Sequence, residues 1–206
     1  MDENNNKGKF LLDYNAITFG KTIIDGFPAP YCIRLPRPTP IEFLKTIGDE
    51  ASNCKIFNLG HTHILGIPNS GIPISTAIGL SIYEKNPNVL LSIFDSEKFD
   101  GEITGLDKKT PLVLIDNSIK SGKTIYETLS KLQELGCNVN YILTLFNREE
   151  TRTEFLFKSE FPNIPIVYLY SILDIIKYLD GDRKRTIINH LKEHGTKRAI
   201  KFIKHL

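Results

Sequence analysis

The segment from residue 112 to residue 124 carries the side chains best suited to chemistry in this sequence. Residues 112–115 are apolar and form the short continuous run that is typical of a fully buried parallel strand. Asp116 and Asn117 follow, and would emerge at the carboxyl end of that strand, where open α/β sheets bind ligands. Residues 118–123 form a hydroxyl-rich, basic loop before a helix, and such a helix start offers N–H groups to a phosphate. We therefore expect the acid and the amide to contact the sugar of a phosphorylated ligand.

Two kinds of phosphate loop, or an ordinary strand–loop–helix connection, could explain this segment. A P-loop requires Gly-x-x-x-x-Gly-Lys-[Ser/Thr]. Gly122, Lys123 and Thr124 fit its end, but Asn117 stands where the opening glycine is needed. The segment instead resembles the phosphoribosyl-pyrophosphate (PRPP) motif of type I phosphoribosyltransferases, in which two acids follow an apolar strand and precede a short Ser/Thr-Gly loop. Asn117 replaces the second acid of that motif. We favour the PRPP motif over the P-loop and over an ordinary connection.

Three further segments resemble orotate phosphoribosyltransferases, so that the similarity runs from about residue 16 to residue 180. Residues 66–73 read Gly-Ile-Pro-Asn-Ser-Gly-Ile-Pro and resemble the pyrophosphate-binding loop of that family, where glycines let the backbone approach a diphosphate. Arg148 resembles the strand-end arginine that holds orotate, since a guanidinium can pair bidentately with a carboxylate. Tyr31, in Ala-Pro-Tyr, resembles the tyrosine of the family's N-terminal hood.

This resemblance implies a Mg²⁺-dependent enzyme of pyrimidine nucleotide biosynthesis. It would transfer the 5-phosphoribosyl group of PRPP to orotate, giving orotidine 5′-phosphate and pyrophosphate. The catalytic residues implied are Asp116 and, on a closing loop, Lys98. PRPP contacts are expected from Asp116, Asn117, Lys120, Ser121, Gly122, Lys123, Thr124, Asn69, Ser70 and Gly71. Base contacts are expected from Arg148 and Tyr31. No direct metal ligand is expected from a side chain, because substrate oxygens supply most ligands of Mg²⁺ at such sites.

Several basic residues of the family pattern are missing. Residues 23–26 lack the usual lysine of the hood, residues 94–101 keep Lys98 but lack the histidine of the flexible loop, and no basic residue stands beside Ser70. Such charges stabilise the leaving pyrophosphate, and the loss of one comparable contact typically costs about 2.7–4 kcal/mol of transition-state stabilisation. Two alternatives therefore stay open. The protein could use a base other than orotate, or it could be a regulator that senses PRPP or a nucleotide without catalysis.

The composition indicates a soluble enzyme domain from the cytoplasm. The chain has 206 residues, of which 41% are hydrophobic, enough for a substantial core. The net charge of +2 gives no general signal for binding a polyanion, so we expect no nucleic acid partner. Cys32, Cys54 and Cys137 lack metal-ligand spacing and are typical of reduced thiols. No apolar run is long enough to span a membrane, and residues 1–9 lack the apolar core of a signal peptide.

Alternating apolar segments predict an α/β fold. We expect a type I phosphoribosyltransferase-like parallel sheet of about five strands flanked by helices, with a small N-terminal hood. Strands are predicted at 64–67, 89–93, 112–116, 139–146 and 164–170, and helices at 40–49, 73–85, 124–135 and 171–179. The predicted parts are a polar tail at 1–9, a phosphoribosyltransferase domain at 10–180 with its hood at 10–40, and a basic amphipathic helical tail at 181–206.

The C-terminal tail bears on the oligomeric state. From Asp182 onward it has eight Lys or Arg residues and two acids, with Leu191, Ile200 and Phe202 on helical spacing. These apolar side chains could pack on the protein's own body or on a two-fold partner. The family resemblance also implies a homodimer, and a homodimer is what we expect.

Overall fold

A five-stranded parallel sheet forms the centre of the protein. The computed structural model describes residues 8–24, 26–57, 62–93, 106–119, 122–151 and 160–206. In chain order the elements are α1 (Lys9–Asp13), β1 (Ile17–Ile24), β2 (Phe27–Ile33), α2 (Ile41–Ser52), a 3₁₀ turn (Lys55–Phe57), β3 (Thr62–Gly66), α3 (Gly71–Tyr83), β4 (Val89–Ile93), β5 (Leu112–Ser118), α4 (Lys123–Glu134), β6 (Val139–Asn147), β7 (Ile166–Ser171), α5 (Ile172–Ile176), α6 (Gly181–His194) and α7 (Lys197–Ile203). The strand order in the sheet is β4-β3-β5-β6-β7.

Each face of the sheet has its own apolar core, because consecutive side chains of a strand point to opposite faces. On one face, Ile64 and Val113 lie in a cluster with residues of α2, α3 and the C-terminal helices. On the other face, Leu65 and Leu114 lie in a cluster with residues of α4. Strands β3 and β5 are therefore covered on both sides, which explains why residues 112–115 form a continuous apolar run.

The predicted architecture is confirmed: the protein has a five-stranded parallel sheet flanked by helices. All five predicted strands are present, with small shifts at their ends. Helix α3 begins at Gly71 rather than Pro73. Helix α5 ends at Ile176 rather than Leu179, and Asp180 takes extended backbone angles as the N-cap of α6. Residues 94–101, which were compared with the flexible loop of the family, lie outside the described residues.

An antiparallel pair, β1 and β2, stands apart from the main sheet and occupies the predicted hood segment. The pair is fixed to the body by buried side chains, among them Ile17, Tyr31 and Ile33. The ring of Tyr31 lies 6.5 Å from the ring of Phe146, centroid to centroid. Since Phe146 is near the carboxyl end of β6, the end of β2 contacts the edge of the sheet where ligands are expected.

The C-terminal helices pack on the body of the same chain. Ile187, Leu191 and Ala199 are fully buried in the main core, and Phe202 packs against it while partly exposed. The basic side chains of these helices are mostly exposed, as expected for an amphipathic segment. The burial of Leu191 therefore needs no partner subunit. None of the described helices is long and apolar enough to cross a membrane.

Candidate active site

The candidate site lies between β3 and β5, where the strand order continues outward in two opposite directions. Strands β3 and β5 are neighbours, with Gly66 beside Ile115 in register, but β4 lies on the outer side of β3 and β6 on the outer side of β5. At such a switch point the loops that follow the two strands separate and leave a crevice at their carboxyl ends. The loop after β3 contains Asn69 and Ser70, and the end of β5 contains Asp116.

Two glycines allow the backbones around this crevice to lie close together. A Cβ atom on Gly71 would come within 2.5 Å of the carbonyl oxygen of Ile115, and one on Gly66 within 2.6 Å of the carbonyl oxygen of Gly71. Both distances are too short for a side chain, so glycine is required at both positions. The first turn of α3 is consequently held against β5, next to Asp116.

A cavity of about 450 Å³ occupies the crevice. Its lining contains seven of the residues predicted to bind PRPP, namely Asn69, Ser70, Asp116, Asn117, Gly122, Lys123 and Thr124. Gly71 does not line it but begins α3 directly after Ser70. Lys98, Lys120 and Ser121 lie outside the described residues. The structure thus brings together residues from three parts of the sequence that were predicted to act on one ligand.

Both helix starts at the cavity are suited to an anion. Ser70, at the start of α3, makes no side-chain capping hydrogen bond, and Gly122 takes a left-handed conformation (φ 78°) at the start of α4. The first N–H groups of a helix lack partners within the helix, and the helix dipole adds positive potential there. Asp116 is half-buried, and one of its carboxylate oxygens accepts a hydrogen bond from the Asn117 N–H at 2.7 Å.

Two further cavity residues, Arg34 and Arg37, were not identified from the sequence. They follow β2 in the segment Arg-Leu-Pro-Arg, and both are exposed. Their position after a hood strand was a usable signal, since the hood was expected at the carboxyl edge. What the sequence could not give is the contact between this segment and the loop after β3.

Arg148 and Tyr31, the predicted base-binding residues, lie buried against each other and do not line this cavity. The guanidinium carbon of Arg148 is 4.2 Å from the centroid of the Tyr31 ring, close enough for a cation–π interaction. The Tyr31 hydroxyl donates to the carbonyl oxygen of Arg148 at 3.4 Å. Burial raises the pKa of Tyr31, which keeps its hydroxyl protonated. Their role in binding a base stays a prediction.

The partly buried carboxylate of Glu150 neutralises Arg148. Its Nε and Nη2 atoms each lie 2.9 Å from Oε1 of Glu150, and Nη1 has no hydrogen-bond partner among the described residues. The same Glu150 oxygen lies 3.2 Å from Nε2 of His190 on α6. Burial acts to raise the pKa of Glu150, but the hydrogen bond with His190 and the charge of Arg148 outweigh it, so this pKa is lowered.

The neighbouring Glu149 links the same strand end to α7. Its carboxylate accepts a hydrogen bond from the Thr196 hydroxyl at 2.8 Å and forms an ion pair with Arg198 at 3.2 Å. Glu149 itself is 2% exposed and has a left-handed backbone (φ 56°). The C-terminal helices are therefore fixed by charge as well as by apolar packing to the strand that carries Arg148.

Comparison with known proteins supports the predicted resemblance. No family model matches the sequence. A curated relative, orotate phosphoribosyltransferase of Methanosarcina mazei, is 25% identical over 167 residues, which are 79% of this chain and 86% of the relative. The solved orotate phosphoribosyltransferase of Francisella tularensis superposes with a TM-score of 0.71 at 21% identity, covering 91% of this chain and 95% of that one. UMP synthase of Leishmania donovani gives a TM-score of 0.74 at 22% identity, covering 93% of this chain and 42% of that one. The resemblance to type I phosphoribosyltransferases, most like the orotate enzymes, is confirmed.

The variant Glu150→Gln tests the buried network. It leaves the Arg148 guanidinium without its carboxylate, and breaking a buried ion pair in this way costs about 3–5 kcal/mol. We expect that loss in urea unfolding at pH 7. The matched change Glu193→Gln, at an exposed side chain, should stay within about 0.5 kcal/mol of the unsubstituted protein.

The unfolding free energy of Glu150→Gln at acidic pH gives a second test of the network. Because the pKa of Glu150 is lowered in the folded state, its carboxylate stabilises the fold above the ordinary value of 4.5, and this stability is lost as the pH falls through the lowered value. The difference in unfolding free energy between Glu150→Gln and the unsubstituted protein should therefore shrink as the pH falls. Equal stability at pH 7, or a difference independent of pH, would contradict the described network.

Proposed function

We propose that this protein is an orotate phosphoribosyltransferase, which transfers the 5-phosphoribosyl group of PRPP to orotate and releases pyrophosphate. The observation that carries the proposal is the single cavity lined by Asn69 and Ser70 from one loop, by Asp116 and Asn117, and by the start of α4. Two phosphate-binding helix starts with a carboxylate between them match a sugar that carries phosphates at both ends. The curated relative and the superposed structures support the same activity.

Each part of the cavity would hold one part of PRPP. The 5′-phosphate would bind the start of α4 through N–H groups and the Thr124 hydroxyl, with Lys120 and Ser121 completing the loop. The ribose hydroxyls would donate to Asp116 and bond to Asn117. The pyrophosphate would lie at residues 69–71, where the start of α3 offers further N–H donors.

The reaction breaks the bond between C1 of the ribose and a pyrophosphate oxygen, and pyrophosphate leaves with the electron pair. A ring nitrogen of orotate forms a bond to C1 and gives up its proton. Positive charge develops on the ribose as the first bond breaks, and the carboxylate of Asp116 would stabilise that charge. The protein's other contribution is to hold both reactants in line, which removes much of the entropic barrier. Lys98 would approach the pyrophosphate on a closing loop.

The oxygen atoms at the crevice suit a Mg²⁺ ion shared with the substrate. Asp116, Asn117 and Ser70 place carboxylate, amide and hydroxyl oxygens around the crevice, and substrate oxygens would supply most of the Mg²⁺ ligands, as expected from the sequence. Within the described part of the chain, no group of three or more His, Cys, Asp or Glu side chains could hold a metal ion by itself. Bound Mg²⁺ would supply positive charge to the pyrophosphate oxygens.

We further propose that Arg148 contacts the base. Its buried Nη1 group lacks a partner among the described residues, and leaving a buried donor unpaired costs about 1–3 kcal/mol. A carboxylate such as that of orotate would accept a hydrogen bond from this group. Tyr31 would act by holding the guanidinium plane.

Steady-state assays decide between this function and its alternatives. With PRPP and Mg²⁺ present, pyrophosphate release is measured for orotate, uracil, hypoxanthine, guanine, xanthine and adenine. Release with orotate alone is the expected result. Release with a different base, or PRPP binding without release for any base, would contradict the proposal and identify the other enzyme or the non-catalytic regulator. The relatives do not favour either alternative.

Asp116→Asn tests the role of the carboxylate. Losing its charge should reduce turnover with orotate to below about one hundredth, as at comparable electrostatic sites. The thermal unfolding temperature should change little, because the amide is isosteric and the residue is half-buried. Asp182→Asn, at an exposed position on α6, is the matched control. Unchanged turnover in Asp116→Asn would refute the assignment.

We also propose that the protein is a homodimer in the cytoplasm. Since the tail packs on its own body, the partner is expected elsewhere. Exposed apolar side chains lie on one face of the edge strand β4 and on the adjacent helix α3, namely Leu91, Ile93, Leu80 and Tyr83. An exposed apolar patch of this kind is typical of a protein–protein interface.

Light scattering tests this assembly. The unsubstituted protein should be a dimer. Leu91→Asp should be a monomer, because burying an unpaired carboxylate in the interface is costly. Leu206→Asp, at an exposed position outside this face, should remain a dimer. A monomeric unsubstituted protein would reject the dimer. A dimer that persists in Leu91→Asp would reject this face.

A further inference from the structure

Two arginines line the same cavities as the loop after β3. Arg34 and Arg37 line the main cavity together with Asn69 and Ser70. The same four residues also line an adjoining cavity of about 280 Å³. The two arginines are thus beside the proposed pyrophosphate position in both cavities.

The charges around this position make the arginines significant. Residues 66–73 contain no basic side chain, whereas a pyrophosphate carries several negative charges. The other cation that lines the main cavity in the described part of the chain is Lys123, which begins α4 and lies 3.8 Å from Glu127. Asp116 adds a negative charge. A pyrophosphate bound beside Ser70 therefore depends on Arg34 and Arg37 for positive charge from the described residues on that side of the cavity.

Among the described residues, no carboxylate neutralises either arginine. In the described residues no ion pair includes Arg34 or Arg37, and the contact found for Arg34 is a hydrogen bond from its Nε atom to the sulfur of Cys32 at 3.4 Å. Nη1 and Nη2 of a guanidinium form a planar fork that can bind two phosphate oxygens at once. Both side chains are thus available to an anion.

The backbone that carries the arginines is restrained. The N–H of Arg34 donates to the carbonyl oxygen of Ala16 at 3.0 Å, and the Thr39 hydroxyl donates to the carbonyl oxygen of Pro36 at 2.7 Å. Proline at 36 and 38 fixes φ on both sides of Arg37. A restrained segment loses little backbone entropy when it binds a ligand, in contrast to a loop that must first close.

We propose that Arg34 and Arg37 bind the pyrophosphate group of PRPP and stabilise it as a leaving group. This inference rests on the proposed function. The two arginines supply the positive charge that the loop after β3 lacks, and they belong to the same chain as that loop. As the bond from C1 to the pyrophosphate oxygen breaks, the electron pair stays on pyrophosphate, and the guanidinium groups donate hydrogen bonds to the oxygens that gain charge.

Calorimetric binding to the full-length protein tests the inference without a base. Inorganic pyrophosphate, PRPP and ribose 5-phosphate are titrated in the presence of Mg²⁺ into Arg34→Ala, Arg37→Ala and the double variant. Each single change should raise the Kd of pyrophosphate and of PRPP about tenfold or more, as expected for one charge-assisted contact. Ribose 5-phosphate, which lacks the pyrophosphate, should bind as it does to the unsubstituted protein.

Two further variants sharpen the test. Arg37→Lys keeps the charge but loses the planar fork, so its Kd for pyrophosphate should fall between those of the unsubstituted protein and Arg37→Ala. Arg185→Ala, an exposed arginine on α6, should leave all three Kd values unchanged.

Unchanged binding of pyrophosphate and PRPP in the double variant would overturn the inference, as would an equal weakening of ribose 5-phosphate. Failure of the proposed function is a separate result, because the titrations contain no orotate. If the unsubstituted protein binds PRPP but does not turn over orotate, the selective loss in the arginine variants would still support the pyrophosphate site.

Discussion

The close contact of three backbones beneath the cavity is the constraint on which the rest of the site depends. Gly66 ends β3, Gly71 begins α3, and both lie against backbone atoms where no side chain fits. This contact holds the first turn of α3 beside the carboxyl end of β5. Because β3 and β5 are neighbours in the sheet, the loops that follow them open into one crevice. Two helix starts can then act on one ligand, although they are about fifty residues apart in sequence.

A second constraint acts at the end of β6, where buried charges connect three parts of the chain. Arg148 contacts Tyr31 of the hood strand, Glu150 joins Arg148 to His190, and Glu149 is held by Thr196. Charges are buried in proteins when they are paired and hydrogen-bonded. Here the pairs Glu150–His190 and Glu149–Arg198 join the end of β6 to α6 and α7. The C-terminal helices therefore do more than cover the core. They fix the strand end that carries Arg148 and, through Tyr31, the hood beside the cavity.

Much of the fold and part of the site followed from local sequence. The β5 strand and its loop were predictable because a continuous apolar run, a strand-end acid and a Gly-Lys-Thr helix start each have a local physical reason. Helix α3 begins two residues before the predicted start at Pro73. The missing N–H of a proline is tolerated equally in the third helical position, because the first four N–H groups of a helix have no helical partner.

The remaining features depend on tertiary contacts that spacing does not encode. The apolar spacing of α6 predicted that Leu191 is buried, but the same spacing would suit its own body or a partner. Arg34 and Arg37 stand in a proline-rich segment without a motif, and only the folded chain brings them to Ser70. The network of Glu150 and His190 was missed for the same reason, because its members are distant in sequence and individually resemble surface charges.

A crystal structure of the protein with PRPP and Mg²⁺ would test the central claim most directly. The account predicts that the 5′-phosphate lies on the start of α4, that the ribose hydroxyls contact Asp116 and Asn117, and that the pyrophosphate lies between residues 69–71 and the two hood arginines. PRPP bound in the opposite orientation, or bound away from the carboxyl ends of β3 and β5, would contradict it.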